Sequence, residues 1–352
     1  MLCSFLQATS YNLLHSKKQA QGNKDTVAFR GCGLHNSAMP SQWTVTDPQR
    51  LDSFLADQSP QLSRSRIQRM IKMGWVEVNG EEVCKPAHRL KEGDAVFQLD
   101  GVETFPDEAS ITPVDLHLPV LYEDEDCLVI NKPAGISVHP GAGMSPGTPT
   151  ILHGVAHLFT ERTLPFSSEG VLVHRLDKET TGCLLIGKTP DAHSRLQKQF
   201  EKRDVTKEYL ALVAGQPDPP KAVIDAPIGR NLTDRTKMSV LRTSVSREAK
   251  TTYRTLESIG DASLLRCQLH TGRTHQIRVH LSSVGYPILG DTAYSSSRSA
   301  ELTKQRKIQS LCLHAWKLTF FSPMKLKEIA VEAPLPVSLL DALQAFNIQP
   351  PA

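Results

Sequence analysis

No stretch of this 352-residue chain stays apolar over the ~18 residues that a membrane-spanning helix needs, so nothing in it reads as a bilayer crossing. Paired cysteines are missing as well. Cys3, Cys32, Cys84, Cys127, Cys183, Cys267 and Cys312 are scattered, odd in number and nowhere spaced C-x-x-C. That argues against a disulfide framework or a thiolate zinc site, and it suits a reducing compartment. No glycine-rich phosphate loop opens a helix, and no cluster has metal-ligand spacing. A strong charge excess is absent too: 40 basic against 37 acidic residues leave +3. Such a balance permits a polyanionic partner without demanding one, so local clustering has to carry that argument.

Acids are almost absent from the first 44 residues, where Asp25 stands alone against Lys17, Lys18, Lys24 and Arg30. An acid-poor, basic, serine-containing start predicts an organelle transit peptide over 1–42. Its serine content leans toward a chloroplast rather than a mitochondrion; without such a peptide the protein would be cytoplasmic. No small-residue-closed apolar core suggests a secretory signal.

Residues 43–100 read as a compact α/β unit. "RLDSFLADQ" and "LSRSRIQRMIKMG" have helical periodicity, with Ile67, Met70 and Ile71 on one stripe and Gly74 as the stop. "WVEVNGEEV" alternates as a strand and turns at Asn79-Gly80, a strong hairpin signal. Residues 101–118 carry four acids, two prolines and no Lys or Arg, which predicts a linker. From 119 to 346 short strands, a few helices and frequent Gly/Pro turns predict an α+β domain on a mixed, largely antiparallel sheet. Helices are expected at 149–160, 190–203 and 274–284. Strands are expected at 127–131, 171–175, 183–188, 208–214, 251–258 and 263–269. Residues 347–352 read as a tail.

Two features suggest chemistry. Arg64, Arg66, Arg69 and Lys72 fall within nine residues with no acid between them, a helix face suited to phosphates or simply to solvent. "VHRLDKETTGCLLIGK" (173–188) sets Arg175 and Asp177 between two apolar runs. A lone Asp at a bend is usually a turn-former, and its company decides otherwise.

"RLDSFLA", "LSRSRIQRMIKMGWVEVNG" and "RLKEGD" occur in the order and spacing of the S4 RNA-binding module, which this segment resembles. "NKPAGISVHPG", "VHRLDKETTG", "KEYLALVAG", "AKTTYRTLE", "CQLHTGRTHQIRVHLSSVGYPILGD" and "LHAWKLTF" then follow along the chain. This succession resembles the pseudouridine synthases of the RluA type, and the combination with S4 is most like the bacterial large-subunit rRNA enzymes. Three departures stand out: Thr181 in a usual T-S-G, Tyr286 in a usual G-H-P-I, and Ser295 where a Gly often follows G-D-x-x-Y.

The resemblance implies an isomerase that detaches uracil from ribose, rotates it and rejoins it through C5. Such a reaction is redox-neutral and calls for no cofactor and no metal. It makes Asp177 the essential group, as nucleophile on sugar or uracil or as base on the ribose. A buried carboxylate needs a cation to hold its charge, and the family's partner corresponds to Arg278. Tyr209 corresponds to the active-site tyrosine that stacks on the flipped base, and Leu313 to an apolar wall. Arg175 would enter the space the base vacates, where a planar guanidinium can stack and bond. Arg64, Arg66, Arg69, Lys72 and Arg273 would contact RNA, with Arg195, Lys198, Lys202, Arg203 and Lys207 as further basic residues on the approach. With Thr274 as N-cap and Gly285 as stop, His275 and His280 fall on different faces of one helix, so they make no ligand pair. The expected partner is RNA, rRNA before tRNA, bound by a monomer with no membrane involved. A silent RNA-binding assembly factor need not keep Asp177, Tyr209 and Arg278 together. A glycosidase needs a second acid, and Glu179 is only two residues from Asp177.

Overall fold

The computed structural model describes residues 41–351 except 60, 61, 63, 73, 99–110, 142, 143, 146, 235, 242 and 326. The expected transit segment lies outside the described residues but for its last two, which already belong to a strand. The chain divides into two compact units between Glu103 and Thr104.

In the first unit β1 (Ser41–Thr44), α1 (Leu51–Gln58), α2 (Arg64–Lys72), β2 (Val76–Val78), β3 (Glu81–Glu82) and β4 (Ala95–Gln98) follow one another. The sheet order is β1-β4-β2-β3, antiparallel throughout. Ile67, Met70 and Ile71 are buried as their spacing predicts, and Leu51, Phe54, Leu55, Val76 and Val96 complete the core. Asn79 and Gly80 both take positive φ, the conformation that lets a two-residue turn match the twist of its strands.

The second unit runs β5 (Val120–Glu123), β6 (Cys127–Lys132), α3 (Ile151–Glu161), β7 (Thr181–Gly187), α4 (Pro190–Lys202), β8 (Thr206–Ala214), β9 (Lys221–Asp225), β10 (Ile228–Asn231), β11 (Met238–Ser239), β12 (Thr243–Arg247), β13 (Lys250–Ile259), β14 (Ala262–Leu269), α5 (Gln276–Ser283), α6 (Ser297–Gln305), β15 (Leu313–Phe321), β16 (Glu328–Glu332) and α7 (Val337–Ala345). Its main sheet is ordered β5-β6-β7-β15-β8-β14-β13-β9, with β16 beside β15. Among the described residues only β7 and β15 pair in parallel. Strands β10–β12 form a separate three-stranded sheet. The α+β architecture on a mixed, largely antiparallel sheet is the one expected.

Strand alternation explains how this sheet keeps two cores. Leu128, Ile130, Leu184 and Ile186 enter the larger cluster, while Cys127, Val129, Cys183 and Leu185 enter the smaller one on the other face. Every residue of β7 is buried, and each large aliphatic there contributes roughly 1.5–3 kcal/mol of transfer free energy.

Three expectations change. Residues 171–175 form no strand; Leu172 makes a single bridge to Ile186, and the Leu185 N–H donates to His174 Nε2 at 2.8 Å. A side chain takes the place of the next backbone partner. Helix α5 starts at Gln276, and its N-cap is His275 at φ 56, not Thr274. Two segments expected to lie outside the domain contribute to its core. Leu116 and Leu118 pack so closely on α3 that a Cβ at Gly154 would meet Leu118 at 2.7 Å, and Ile348 is buried.

Candidate active site

Lys132 sits under the 177–180 turn with no solvent exposure, its Nζ donating to the carbonyls of Pro133 (2.7 Å), Lys178 (2.9 Å) and Thr180 (2.9 Å). Three acceptors satisfy an ammonium's three donors. Burial pulls its pKa down to about 8 against the opposing charges of Glu179 and Asp177. Beyond the turn Gly182 takes φ 109 and lies so near β15 that a Cβ there would be 2.2 Å from the Ala315 carbonyl oxygen. Before it, His174 stacks on Phe200, centroids 4.8 Å apart at 22°. The turn carrying Asp177 is thus pinned below, ahead and behind.

Asp177 and Arg278, 101 residues apart in sequence, meet at 3.4 Å through Oδ2 and Nη1. Arg278 is held harder by Asp291, with Nε to Oδ2 at 2.8 Å and Nη2 to Oδ1 at 2.9 Å. The Asp291 side chain has no solvent exposure, and its Oδ1 also accepts from the amides of Ala293 and Tyr294. Burial opposes both charges, yet each partner outweighs it, so the Arg278 pKa is raised and that of Asp291 lowered. The Tyr294 ring lies 5.0 Å from the guanidinium carbon of Arg278, in cation–π range. The Tyr294 hydroxyl accepts from Met238 N at 2.9 Å and contacts His275 Nδ1 at 2.8 Å.

A cavity of about 360 Å³, within the usual range for small-molecule sites, opens here. Its wall includes Arg175, Asp177, Tyr209, Arg273, Arg278 and Leu313, six residues singled out in the sequence. Tyr209 and Leu313 are buried on adjacent strands β8 and β15. Burial first, then the Asp177 charge, pushes the Tyr209 phenol well above its usual pKa, so it stays protonated. Arg175 is exposed at the rim. Arg273 donates through Nε to the Glu248 carbonyl at 2.9 Å.

The remaining basic residues divide. Lys207 lines the cavity, partly buried, and burial lowers its pKa. Arg203 pairs with Glu248, and Arg195 with Asp191. Lys198 and Lys202 are exposed. In the first unit Lys72 is exposed at the end of α2; the side chains of Arg64, Arg66 and Arg69 lie outside the described residues.

Sequence reasoning gave no role to Asp291, Tyr294, His275 or Lys132, although all four stand inside quoted motifs. His280, read there as no ligand, is buried and bonded to Thr251 Oγ1 and the Ala226 carbonyl. At two departures from the family pattern a side-chain hydroxyl is hydrogen-bonded. Thr181 Oγ1 is 2.7 Å from His314 Nδ1, and Tyr286 Oη accepts from Asp218 N.

Comparison with known proteins decides the class. The family model for RNA pseudouridylate synthase matches residues 126–283, and the S4 domain model matches residues 49–96. A protein of Vibrio cholerae, ribosomal large subunit pseudouridine synthase D, is 39% identical over 314 residues, covering 86% of this chain and 94% of its own. Its Escherichia coli K12 namesake is 36% identical over 306 residues, covering 85% and 91%. This chain belongs to the RNA pseudouridine synthase family. A solved structure, human RNA pseudouridylate synthase domain containing 4, shares the fold with a TM-score of 0.54 at 30% identity, covering 66% of this chain and 95% of that one. The enzyme is an isomerase acting on RNA, and its S4 domain is an RNA-binding module.

Proposed function

We propose that the enzyme isomerises specific uridines of large-subunit rRNA inside an organelle, a chloroplast before a mitochondrion. The observation that carries the substrate is an S4 domain joined to a catalytic domain in one chain whose relatives over most of its length are ribosomal large subunit synthases. The acid-poor segment before β1 supports the organelle. Asp177 is the reacting group, and Arg278 orients it. Tyr209 stacks on the extruded base against Leu313, and Arg175 fills the space left in the RNA. Arg273, with Arg64, Arg66, Arg69 and Lys72, holds phosphates, and the protein works as a monomer. The contact between Asp177 and Arg278 at one end of the cavity best supports these assignments, because it gives an anion a fixed direction.

The experiment incubates the protein with unmodified large-subunit rRNA transcript and separately with tRNA. Pseudouridines are then mapped by carbodiimide-dependent primer-extension stops, with Asp177→Asn in parallel. New stops in rRNA that vanish in the variant are expected. Stops in tRNA alone overturn the substrate. Residues 1–42 fused to a fluorescent protein are expected to enter chloroplasts, and a cytoplasmic signal overturns the organelle.

A further inference from the structure

His275 has an unusual position and an unusual set of bonds. It is a non-glycine residue at φ 56, in the left-handed region that side chains enter at a cost and that clusters at functional sites. Its ring lines the catalytic cavity beside Arg278 and Asp177 and meets the Tyr294 ring edge-on at 5.5 Å. Its tautomer is assigned from the hydrogen bonds. The Tyr294 hydroxyl already accepts from Met238 N–H, and burial keeps the phenol protonated. Its one proton then goes to His275 Nδ1, 2.8 Å away. Burial, against the pull of Asp177, keeps the imidazole neutral. The remaining proton therefore sits on Nε2, and no described residue accepts it.

We propose that His275 Nε2–H is a catalytic hydrogen-bond donor to a carbonyl oxygen of the extruded uracil. The proposal rests on the reading of Asp177 as the reacting group and extends it. When the N1–C1′ bond breaks, its electron pair stays with the uracil and the charge spreads to O2 and O4. If Asp177 instead adds to the ring, the displaced π pair puts charge on O4. Either course builds an oxyanion, and a preorganised donor stabilises charge that develops in the transition state more than the ground state. His275 gives up no proton; it donates the same hydrogen bond throughout. Two arginine donors of the cavity are already engaged. All three nitrogens of Arg278 face Asp291 and Asp177, and Arg273 Nε is on a backbone carbonyl. Tyr209 and Leu313 offer the base an aromatic face and an apolar wall.

The variants are chosen to respect the backbone. His275→Gly removes the ring where glycine adopts the same φ freely, and His275→Asn tolerates that φ and restores a shorter N–H donor. Turnover and RNA affinity are measured on an rRNA fragment containing a mapped target uridine, then on fragments with 2-thiouridine or 4-thiouridine at that position. His275→Gly is expected to lose roughly 100- to 1,000-fold in kcat with RNA affinity within about twofold, the scale of losing one oxyanion donor. His275→Asn should recover part of it. Sulfur is a weaker acceptor, so wild type should slow on one thio substrate, and that slowing should vanish in His275→Gly. A His275→Gly enzyme within about twofold of wild type overturns the proposal. So does a slower enzyme whose thio effect is intact, which would make the ring a support for Tyr294. Should His275→Gly lose RNA affinity or fold poorly, the thio comparison in His275→Asn decides. Asp177→Asn separates the two readings. If it stays active, the site assignment falls; if it is dead while His275→Gly is unimpaired, only the donor falls.

Discussion

Acid should loosen the catalytic unit through His174. Its Nε2 accepts from Leu185 N–H, which requires an unprotonated nitrogen. Burial, and after it the charge of Lys207, pulls its pKa from 6.5 to about 3. The unfolded chain therefore binds one more proton than the native one between those values, and stability falls as pH falls through the window. The slope is about 1.4 kcal/mol per pH unit, so moving from pH 7.5 to pH 5 costs about 2 kcal/mol at this residue. The ring keeps some solvent contact, which makes that figure a ceiling. Several other histidines, His139, His193, His280 and His314 among them, are also held below their usual pKa by burial. The wild-type profile is therefore a sum, and the His174 share is isolated by difference. Gln at 174 presents a carbonyl oxygen to Leu185 and has no proton to gain. Replacing Trp43 and Trp75 by Phe leaves Trp316, buried on β15, as a fluorescence reporter of the catalytic unit. Urea titrations at both pH values should show His174→Gln less stable at pH 7.5, where it loses the Phe200 stack. The gap to wild type should close by up to about 2 kcal/mol at pH 5. An unchanged gap would refute the argument that a neutral ring pins this segment.

Further outcomes concern the residues that hold Asp177 and Arg278 in place. Asp291→Asn leaves Arg278 buried with half its clamp, so thermal unfolding should reveal a loss of about 3–5 kcal/mol along with reduced turnover. Asp291→Ala restoring wild-type stability would contradict it. Gly182→Ala forces a Cβ into the Ala315 carbonyl at a φ that alanine resists, and should destabilise by more than about 2 kcal/mol in urea titration. Lys132→Met keeps the volume but strips three carbonyls of their donor. It should lower the melting temperature by several degrees and open amide exchange at Gly135, whose N–H bonds the Lys178 carbonyl.

What the sequence made visible and what it hid divide along one physical line. Periodicity reports which face of an element meets a core, so the α2 stripe and strands β6, β7, β8, β13 and β14 were legible from spacing, while the central β15 was quoted only as a motif. It says nothing where a side chain stands in for backbone. "VLVH" has the apolar run of a strand, yet the His174 ring takes the Leu185 donor and the strand never forms. Short polar elements such as β10–β12 and α6 carry too few apolar repeats to register. The pairing of Asp177 with Arg278 came from motifs, since no local rule joins residues 101 positions apart. Asp291 was given no role, and its local sequence points only to a turn. Its Oδ1 accepts the amides two and three residues on, as turn-forming aspartates do. The same carboxylate also clamps Arg278 through both oxygens. One acid satisfies a local turn and a distant cation together, so a complete local account of a residue is no evidence that its chemistry ends there.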